Sequence, residues 1–342
     1  MSKNNVIIIT GGGSWGHHYI VKEIKEHLSD HRVVYVGSKD SDQEIFENDP
    51  DFFRTYFFDT HEEHDDNIFE QFKSYYSYWS YKQECKKIIE ELEPKVVFSV
   101  GGYSAKPMAF AAKAKNIPLV IYEQNALSER INEELRPYAT LFLSPYLSDS
   151  PISTYPVKSE YFTKQRIRSD IKCVFFLGSI KGASPIADLA LSLAKDFKAR
   201  GIKIIQQTGE EHLEEIRAKY EKIGVEAKLF GYKDKISSYM NEADLAVARA
   251  GSSTIWELSA NGLPAIYIPY PGAWDNHQFF NAKFLADQKL GWLMREEAID
   301  KQEVLSILDK NLTTISTKLI SRIEPNGAQK IASLLKEFCE RS

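Results

Sequence analysis

The sequence predicts an α/β protein of two doubly wound domains, each a parallel sheet covered by helices on both faces. Three observations carry this. Short β-branched runs alternate with longer segments of helical periodicity, which is the rhythm of βα units. That rhythm runs twice and breaks once, between Tyr146 and Arg168. The chain also has 342 residues, more than a single core usually encloses.

In chain order, the first series of strands is expected at Val6–Thr10, Val33–Gly37, Val96–Val100, Leu119–Tyr122 and Leu141–Ser144. The second is expected at Cys173–Leu177, Lys203–Gln206, Ala227–Phe230, Leu245–Ala248, Ala265–Pro269 and Gly291–Met294. Near-continuous apolar strands are what a sheet buried on both faces requires. Segments between them keep apolar residues on one helical face, as Ile20, Val21, Ile24 and Leu28 do after the first strand. The stretch Tyr146–Arg168 holds Pro151 and Pro156, shows little periodicity, and reads as the interdomain connection. Domains are therefore placed at residues 1–157 and 158–326. A terminal helix within 327–342, roughly Gln329–Glu340, is expected to pack back on the first domain. Ligands on such sheets bind outside the carboxyl ends of the strands, and two facing sheets make a central cleft where a donor and an acceptor meet.

Composition narrows the function. Hydrophobic residues at 43% and charged residues at 27% are ordinary for a globular chain. A formal net charge of -5 gives no support for bulk nucleic-acid binding. Cys85, Cys173 and Cys339 are far apart and in no metal-ligand spacing, which fits a reducing compartment. The apolar block Val6–Ile9 is too short for a signal peptide, and no stretch approaches the ~20 apolar residues of a spanning helix. A cytoplasmic protein is expected, with attachment to a membrane surface left open.

Thr10-Gly11-Gly12-Gly13-Ser14-Trp15-Gly16-His17 follows the first strand and opens a helix. Glycines admit close backbone approach, and a helix N-terminus offers unpaired N–H groups and a positive dipole, so an anion or a diphosphate can sit there. Gly11, Gly13 and Gly16 also spell GxGxxG. The dinucleotide reading wants an acidic residue at the end of the second strand, where Val36-Gly37-Ser38-Lys39 stands and Asp40 comes late. A tight turn that binds nothing is the plain alternative. His17 sits where loop becomes helix. Its neutral imidazole can take a proton from an attacking hydroxyl near pH 7, or it can merely cap local backbone. His18, one position on, faces elsewhere.

At this loop a resemblance begins. TGGGSWGH is similar to the glycine loop of MurG-type transferases of glycosyltransferase family 28. So, in family order, are Phe98–Pro107 (FSVGGYSAKP), Ile117–Asn125 (IPLVIYEQN), Gln207–Gly209, Ala248–Leu258 (ARAGSSTIWEL), Gly262–Pro271 and Asn276–Asn281 (NHQFFN). The resemblance implies a GT-B fold of two Rossmann-like domains, with acceptor bound mainly by the first and UDP-sugar by the second. It places His17 at the catalytic base and Glu123 with it. Gly13, Ser14, Trp15, Gly16 and Asn125 fall on the acceptor side, and Lys158 near the nucleotide. Ala250, Gly251, Ser252 and Ser253 fall beneath the donor diphosphate and sugar, Glu257 on the ribose hydroxyls, and His277 and Gln278 on the donor sugar. Tyr232 and Lys233 fall near uracil. Ile180 and Lys181 stand where the family has serine and glutamine near the donor. Trp15 replaces a loop glycine, and Tyr122 a histidine.

Elementary chemistry agrees. Gly251-Ser252-Ser253-Thr254 precedes a helix start whose N–H groups would meet charge on a departing diphosphate. Glu257 lies one turn beyond, and a carboxylate accepting two hydrogen bonds suits a vicinal diol. The bland alternatives are a surface or capping carboxylate for Glu257, and buried amides satisfying loop backbone for Asn125 and Gln278. Asp40-Ser41-Asp42 is DxD by letters but reads as a solvated turn; no metal and no cofactor is called for. Ile68–Ile89 interleaves Phe69, Phe72, Tyr75, Tyr76, Tyr78, Trp79 and Tyr81 with Lys73, Lys82, Lys86 and Lys87. That pattern suits a bilayer interface, or a core helix with polar edges.

The expected function is inverting transfer of N-acetylglucosamine from UDP-N-acetylglucosamine to the 4-hydroxyl of undecaprenyl-diphospho-N-acetylmuramoyl-pentapeptide. The partners implied are that donor, that acceptor and a membrane surface, at the cytoplasmic face of a bacterial inner membrane. The alternatives are another GT-B transferase, a UDP-sugar epimerase, or a nucleotide-sugar-binding module without turnover.

Overall fold

The computed structural model describes residues 5–60, 68–178, 185–231 and 236–340, with the side chains of 68–78 outside the description. Four expected site residues, Ile180, Lys181, Tyr232 and Lys233, lie outside the described residues. The chain divides into two compact units, residues 1–156 with 326–342, and residues 157–325.

The first unit runs β1 (Val6–Thr10), α1 (Trp15–Lys25), β2 (Arg32–Ser38), α2 (Gln43–Phe46), β3 (Arg54–Phe58), α3 (Ile68–Leu92), β4 (Val96–Ser99), α4 (Lys106–Ala114), β5 (Leu119–Tyr122), α5 (Arg130–Leu135) and β6 (Leu141–Leu143). The second starts with α6 (Glu160–Thr163), β7 (Cys173–Leu177), α7 (Pro185–Ala199), β8 (Lys203–Gln207), α8 (Leu213–Ile223) and β9 (Lys228–Phe230). It continues through α9 (Ser237–Glu242), β10 (Leu245–Ala248), α10 (Ser252–Asn261), β11 (Ala265–Tyr267), α11 (His277–Asp287), β12 (Trp292–Leu293), α12 (Lys301–Ile307) and α13 (Thr313–Ser321). The last helix, α14 (Gly327–Glu340), returns to the first unit. It packs on α1 and β4, and Lys336 pairs with Asp30 at 2.6 Å.

Both sheets are parallel and have six strands, in the orders β3-β2-β1-β4-β5-β6 and β12-β11-β10-β7-β8-β9. Counted within its own unit, each is the same doubly wound order, 3-2-1-4-5-6. The chain reverses its winding between β1 and β4 in one sheet, and between β7 and β10 in the other. Crevices at the carboxyl ends of those strand pairs are where ligands bind in this architecture.

The strands are buried on both faces. Ile7 and Ile9 are as fully enclosed as Ile8, and Val6, Ile8, Val34, Val97 and Ile121 join Met108 and Ala112 of α4 in one core. The second core gathers Val174, Phe176, Ile204 and Val247 under Leu189, Leu193 and Phe197 of α7. Truncating any one of the isoleucines, leucines, Met108 or phenylalanines among these to alanine is expected to cost about 2–5 kcal/mol.

One strand lies outside the expected set. Strand β3 was not anticipated. It is an edge strand of sequence RTYFF whose first residue is exposed and only Phe58 buried, so it carries no continuous apolar run. The boundary between the two units, after Pro156, falls within Tyr146–Arg168, and parts of that stretch are packed. Tyr155, Pro156 and Val157 are buried, and Arg168 is wholly enclosed, donating to the carbonyls of Arg166, Met240 and Ala243 and to Asn261. The aromatic–lysine stretch forms α3, whose last turns put Cys85, Ile88, Ile89 and Leu92 in the core while Trp79 is 52% exposed. Among the described residues, no helix is long and apolar enough to cross a membrane.

Candidate active site

At the first switch point two glycine turns press together. Gly11 has φ +107°, and a Cβ there would stand 2.2 Å from the Gly101 carbonyl oxygen. Gly102 has φ +77°, and its Cβ would stand 2.0 Å from the Gly12 carbonyl oxygen. Only glycine permits both the left-handed backbone and the contact. The Gly12 N–H donates to Gly101 O at 3.2 Å and seals the pair.

Ser14, extended at φ -141°, is the N-cap of α1, its Oγ accepting from the His17 N–H. The same Oγ lies 2.9 Å from His17 Nδ1, while His17 Nε2 lies 3.0 Å from Glu129 Oε1. Ser14 is exposed and His17 only 4% so. Glu129 also accepts from the Gly102 N–H at 2.9 Å and from Asn125 Nδ2 at 3.3 Å. Burial disfavours a charged His17, but the charge and hydrogen bond of Glu129, then Glu123 and Asp42, outweigh it and raise the imidazole pKa.

Glu123 does not sit on His17. It is 1% exposed, with Oε1 accepting from the Asn125 N–H at 2.7 Å, and Oε2 from the Glu129 N–H and Asn132 Nδ2, both at 2.8 Å. Burial first, then the charge of Glu129, pushes its carboxyl up to about 8, against three donors that favour the ionised form. Its place is under the Asn125–Glu129 turn, which it shapes. Glu129 is the carboxylate on the imidazole. It lies 112 residues from His17 and outside the family-like motifs, so no local signal in the sequence marks it.

Asp42 departs from the sequence expectation. It is fully buried, not part of a solvated turn, and it organises the glycine loop. Its carboxylate accepts from the Gly13 N–H at 3.0 Å and the Ser38 N–H at 2.7 Å, and meets His18 Nε2 at 2.7 Å. Burial opposes its charge, but His18, the Ser38 and Gly13 amides and Ser41 hold its pKa down to about 2. His18 therefore points away from His17, into this cluster and against Phe46. Gly16 is closed on its outer side by Gln124, whose Oε1 a Cβ would approach to 2.6 Å. Trp15 stands 75% exposed at the head of α1.

At the second switch point the loop after β10 leads into α10. Gly251 is its N-cap, at φ -64°, and no side chain caps it. Side-chain amides hold the loop. Gln278 Oε1 accepts from the Ala250 N–H at 3.3 Å and the Tyr270 N–H at 3.0 Å, and Asn281 Nδ2 donates to Ala250 O and Ser252 Oγ at 3.3 and 3.1 Å. Arg249 pairs with Glu296 at 2.5 Å and donates to the Ile268 and Pro269 carbonyls. Ser253 and Glu257 are half-buried on the first turns of α10. His277 Nδ1 meets Trp274 O at 2.8 Å, fixed behind two left-handed residues, Asp275 and Asn276. Asn281 was not among the expected site residues. Its signal was the spacing Gln278, Asn281, which puts both amides on one face of α11. Lys158 is exposed, just before α6.

Residues 7–143 match the glycosyltransferase family 28 N-terminal domain, and residues 173–337 the glycosyltransferase family 28 C-terminal domain. The chain is 47% identical over 335 residues to a protein of Sulfurovum sp. named UDP-N-acetylglucosamine--N-acetylmuramyl-(pentapeptide) pyrophosphoryl-undecaprenol N-acetylglucosamine transferase, covering 98% of this chain and 99% of that one. A protein of the same name from Wolinella succinogenes is 40% identical over 332 residues, 96% and 99% of the two chains. Among solved structures, MurG of Acinetobacter baumannii superposes with a TM-score of 0.79 at 20% identity, over 98% and 99% of the chains. A spinosyn rhamnosyltransferase complexed with thymidine diphosphate gives 0.60 at 14%, over 96% and 99%. At such identities the structural likeness speaks for the fold, which is GT-B. The full-length relatives and both matched domains go further: the chain belongs to glycosyltransferase family 28.

Proposed function

We propose that this protein transfers N-acetylglucosamine from UDP-N-acetylglucosamine to the 4-hydroxyl of the undecaprenyl-diphospho-linked muramoyl-pentapeptide, with inversion. One observation carries it: a titratable imidazole, His17, is built into the glycine loop of the first switch point in a chain whose full-length relatives bear that transferase name. Gly13, Ser14, Trp15, Gly16 and Asn125 form the acceptor side. Ala250, Gly251, Ser252 and Ser253 seat the donor diphosphate, because a helix N-terminus stabilises negative charge as UDP departs. Glu257 takes the ribose hydroxyls, and His277 and Gln278 border the sugar. Lys158 and Lys181 add positive charge, while Tyr232, Lys233 and Ile180 complete the nucleotide side. The acceptor hydroxyl gives its proton toward His17 as its oxygen attacks the anomeric carbon opposite to UDP, which leaves with the bonding pair.

Docking at the cytoplasmic face of the inner membrane is part of the same proposal. Its support is an aromatic and basic patch on the first unit. Lys82 of α3 lies with its Nζ 5.5 Å from the ring centroid of Phe110 of α4, the Phe110 and Tyr138 rings are 5.9 Å apart, and Trp79 of α3 is exposed. Lys113 Nζ sits 3.1 Å from the ring centroid of Tyr138, which is 41% exposed. Aromatics beside lysines suit anionic headgroups.

The test is UDP release from UDP-N-acetylglucosamine with and without lipid acceptor. Acceptor-dependent release is expected. Release of the 2-epimer, or binding without release, would overturn the transferase reading in favour of an epimerase or a binding module.

A further inference from the structure

We propose that Ser14, His17 and Glu129 form a proton relay, in which the exposed Ser14 hydroxyl meets the acceptor, His17 receives the proton, and Glu129 positions and stabilises the imidazole. The relay presupposes the transferase reading and names the atoms through which it works.

Hydrogen-bond accounting fixes the direction. The Glu129 carboxylate accepts from the Gly102 N–H and from Asn125 Nδ2, and an ionised carboxylate offers only acceptor sites, so the Nε2 that lies 3.0 Å from it carries the hydrogen. In neutral His17 the lone pair then lies on Nδ1, 2.9 Å from Ser14 Oγ. Ser14 Oγ accepts from the His17 N–H and donates its own hydrogen to Nδ1. His17 is buried and Ser14 is exposed, so an acceptor hydroxyl reaches the imidazole through the serine. As the acceptor oxygen attacks, its proton passes to Ser14 Oγ while the serine proton passes to Nδ1. Serine ends neutral, His17 becomes imidazolium, and Glu129 lies against Nε2–H. The arrangement has the logic of a hydroxyl–imidazole–carboxylate triad without a covalent intermediate.

The charged and titratable groups facing His17 are Glu129, Glu123 and Asp42, with His18 adjacent in sequence and turned to Asp42. Glu129 is the only one of these three carboxylates in hydrogen-bond contact with the imidazole. Removing its charge leaves burial to dominate, and His17 then loses its proton at lower pH.

The experiment measures pH profiles of acceptor-dependent turnover for the full chain and for E129Q, S14A and S14T. For E129Q the acid limb is expected to move to lower pH while kcat falls at least about tenfold, with the KM for UDP-N-acetylglucosamine held. S14A is expected to lose about a hundredfold in kcat, and S14T, which restores a hydroxyl, to recover most of it. An unmoved acid limb in E129Q, or equal rates for S14A and S14T, overturns the relay. Nitrogen-15 spectra of wild-type His17 check it without any variant: the Nε2–H tautomer is expected, and the Nδ1–H tautomer contradicts it. Full activity of H17A would sink the transferase chemistry at this loop instead, so the two failures are distinct.

Discussion

The two loops each border the switch point of a sheet of the same strand order, one after the first strand of its unit and the other after the fourth, and they are held in opposite ways. The loop after β1 is held by carboxylates: Asp42 takes the Gly13 amide, and Glu129 takes His17 together with Gly102 of the adjoining turn after β4. The loop after β10 is held by neutral amides, Gln278 and Asn281, and the helix it opens has no side-chain cap. Negative charge built into the first loop raises the basicity of an imidazole and disfavours a further anion beside it. The second loop keeps its helix dipole uncompensated by a capping side chain, which favours an arriving diphosphate. Under the proposed function, one loop accepts a proton and the other accepts charge.

The largest expected effect that sharpens this contrast is on rate. His17→Ala should lower acceptor-dependent turnover about 10²–10⁴-fold while UDP-sugar binding, followed by calorimetry, is kept. Next come the loop glycines. Gly102→Ala forces a Cβ to 2.0 Å from a backbone oxygen at φ +77° and should cost about 3 kcal/mol in urea unfolding. Gly251→Ala meets only Thr254 Oγ1, at 3.9 Å, and should cost less than about 1 kcal/mol while raising the KM for the donor. Equal stability losses at the two positions would erase the distinction.

Asp42→Asn should cost about 2 kcal/mol at neutral pH, since the folded pKa is depressed to about 2 from 3.8. The sign follows from that depression. The stabilisation is complete above the unfolded value and is lost as pH falls through about 2, so urea midpoints of wild type and variant should converge between pH 4 and 2. Gln278→Ala leaves the Ala250 and Tyr270 amides without this partner and should cost about 1–2 kcal/mol, with a weaker hold on UDP seen by calorimetry. The smallest effect on stability, under about 0.5 kcal/mol, is expected for Trp79→Glu with Tyr138→Glu at the exposed patch. That double variant should lose binding to anionic vesicles and keep turnover of a soluble acceptor analogue.

Much of this was legible in the sequence. Buried parallel strands advertise themselves as apolar runs, so β1, β5, β7 and β10 were read to the residue. The edge strand β3, with one face open, gave no such run. Glycine loops and helix starts were visible because their chemistry is local. The partners of those loops were not. Asp42 looked like a surface turn until the fold laid it beneath Gly13, 29 residues away, and Glu129 met His17 only through the pairing of β1 with β4 and the turn after β5. Glu123 was conspicuous by motif, but its role is set by three donors that folding gathers around it. Motif letters locate a loop; long-range hydrogen bonds decide what each side chain in it does.

Hydrogen–deuterium exchange of the full chain with UDP tests the division of labour most directly. Slowed exchange at Ser252–Thr254, with Gly11–Ser14 unchanged, is predicted. Protection at Gly11–Ser14, or none at the start of α10, would contradict it.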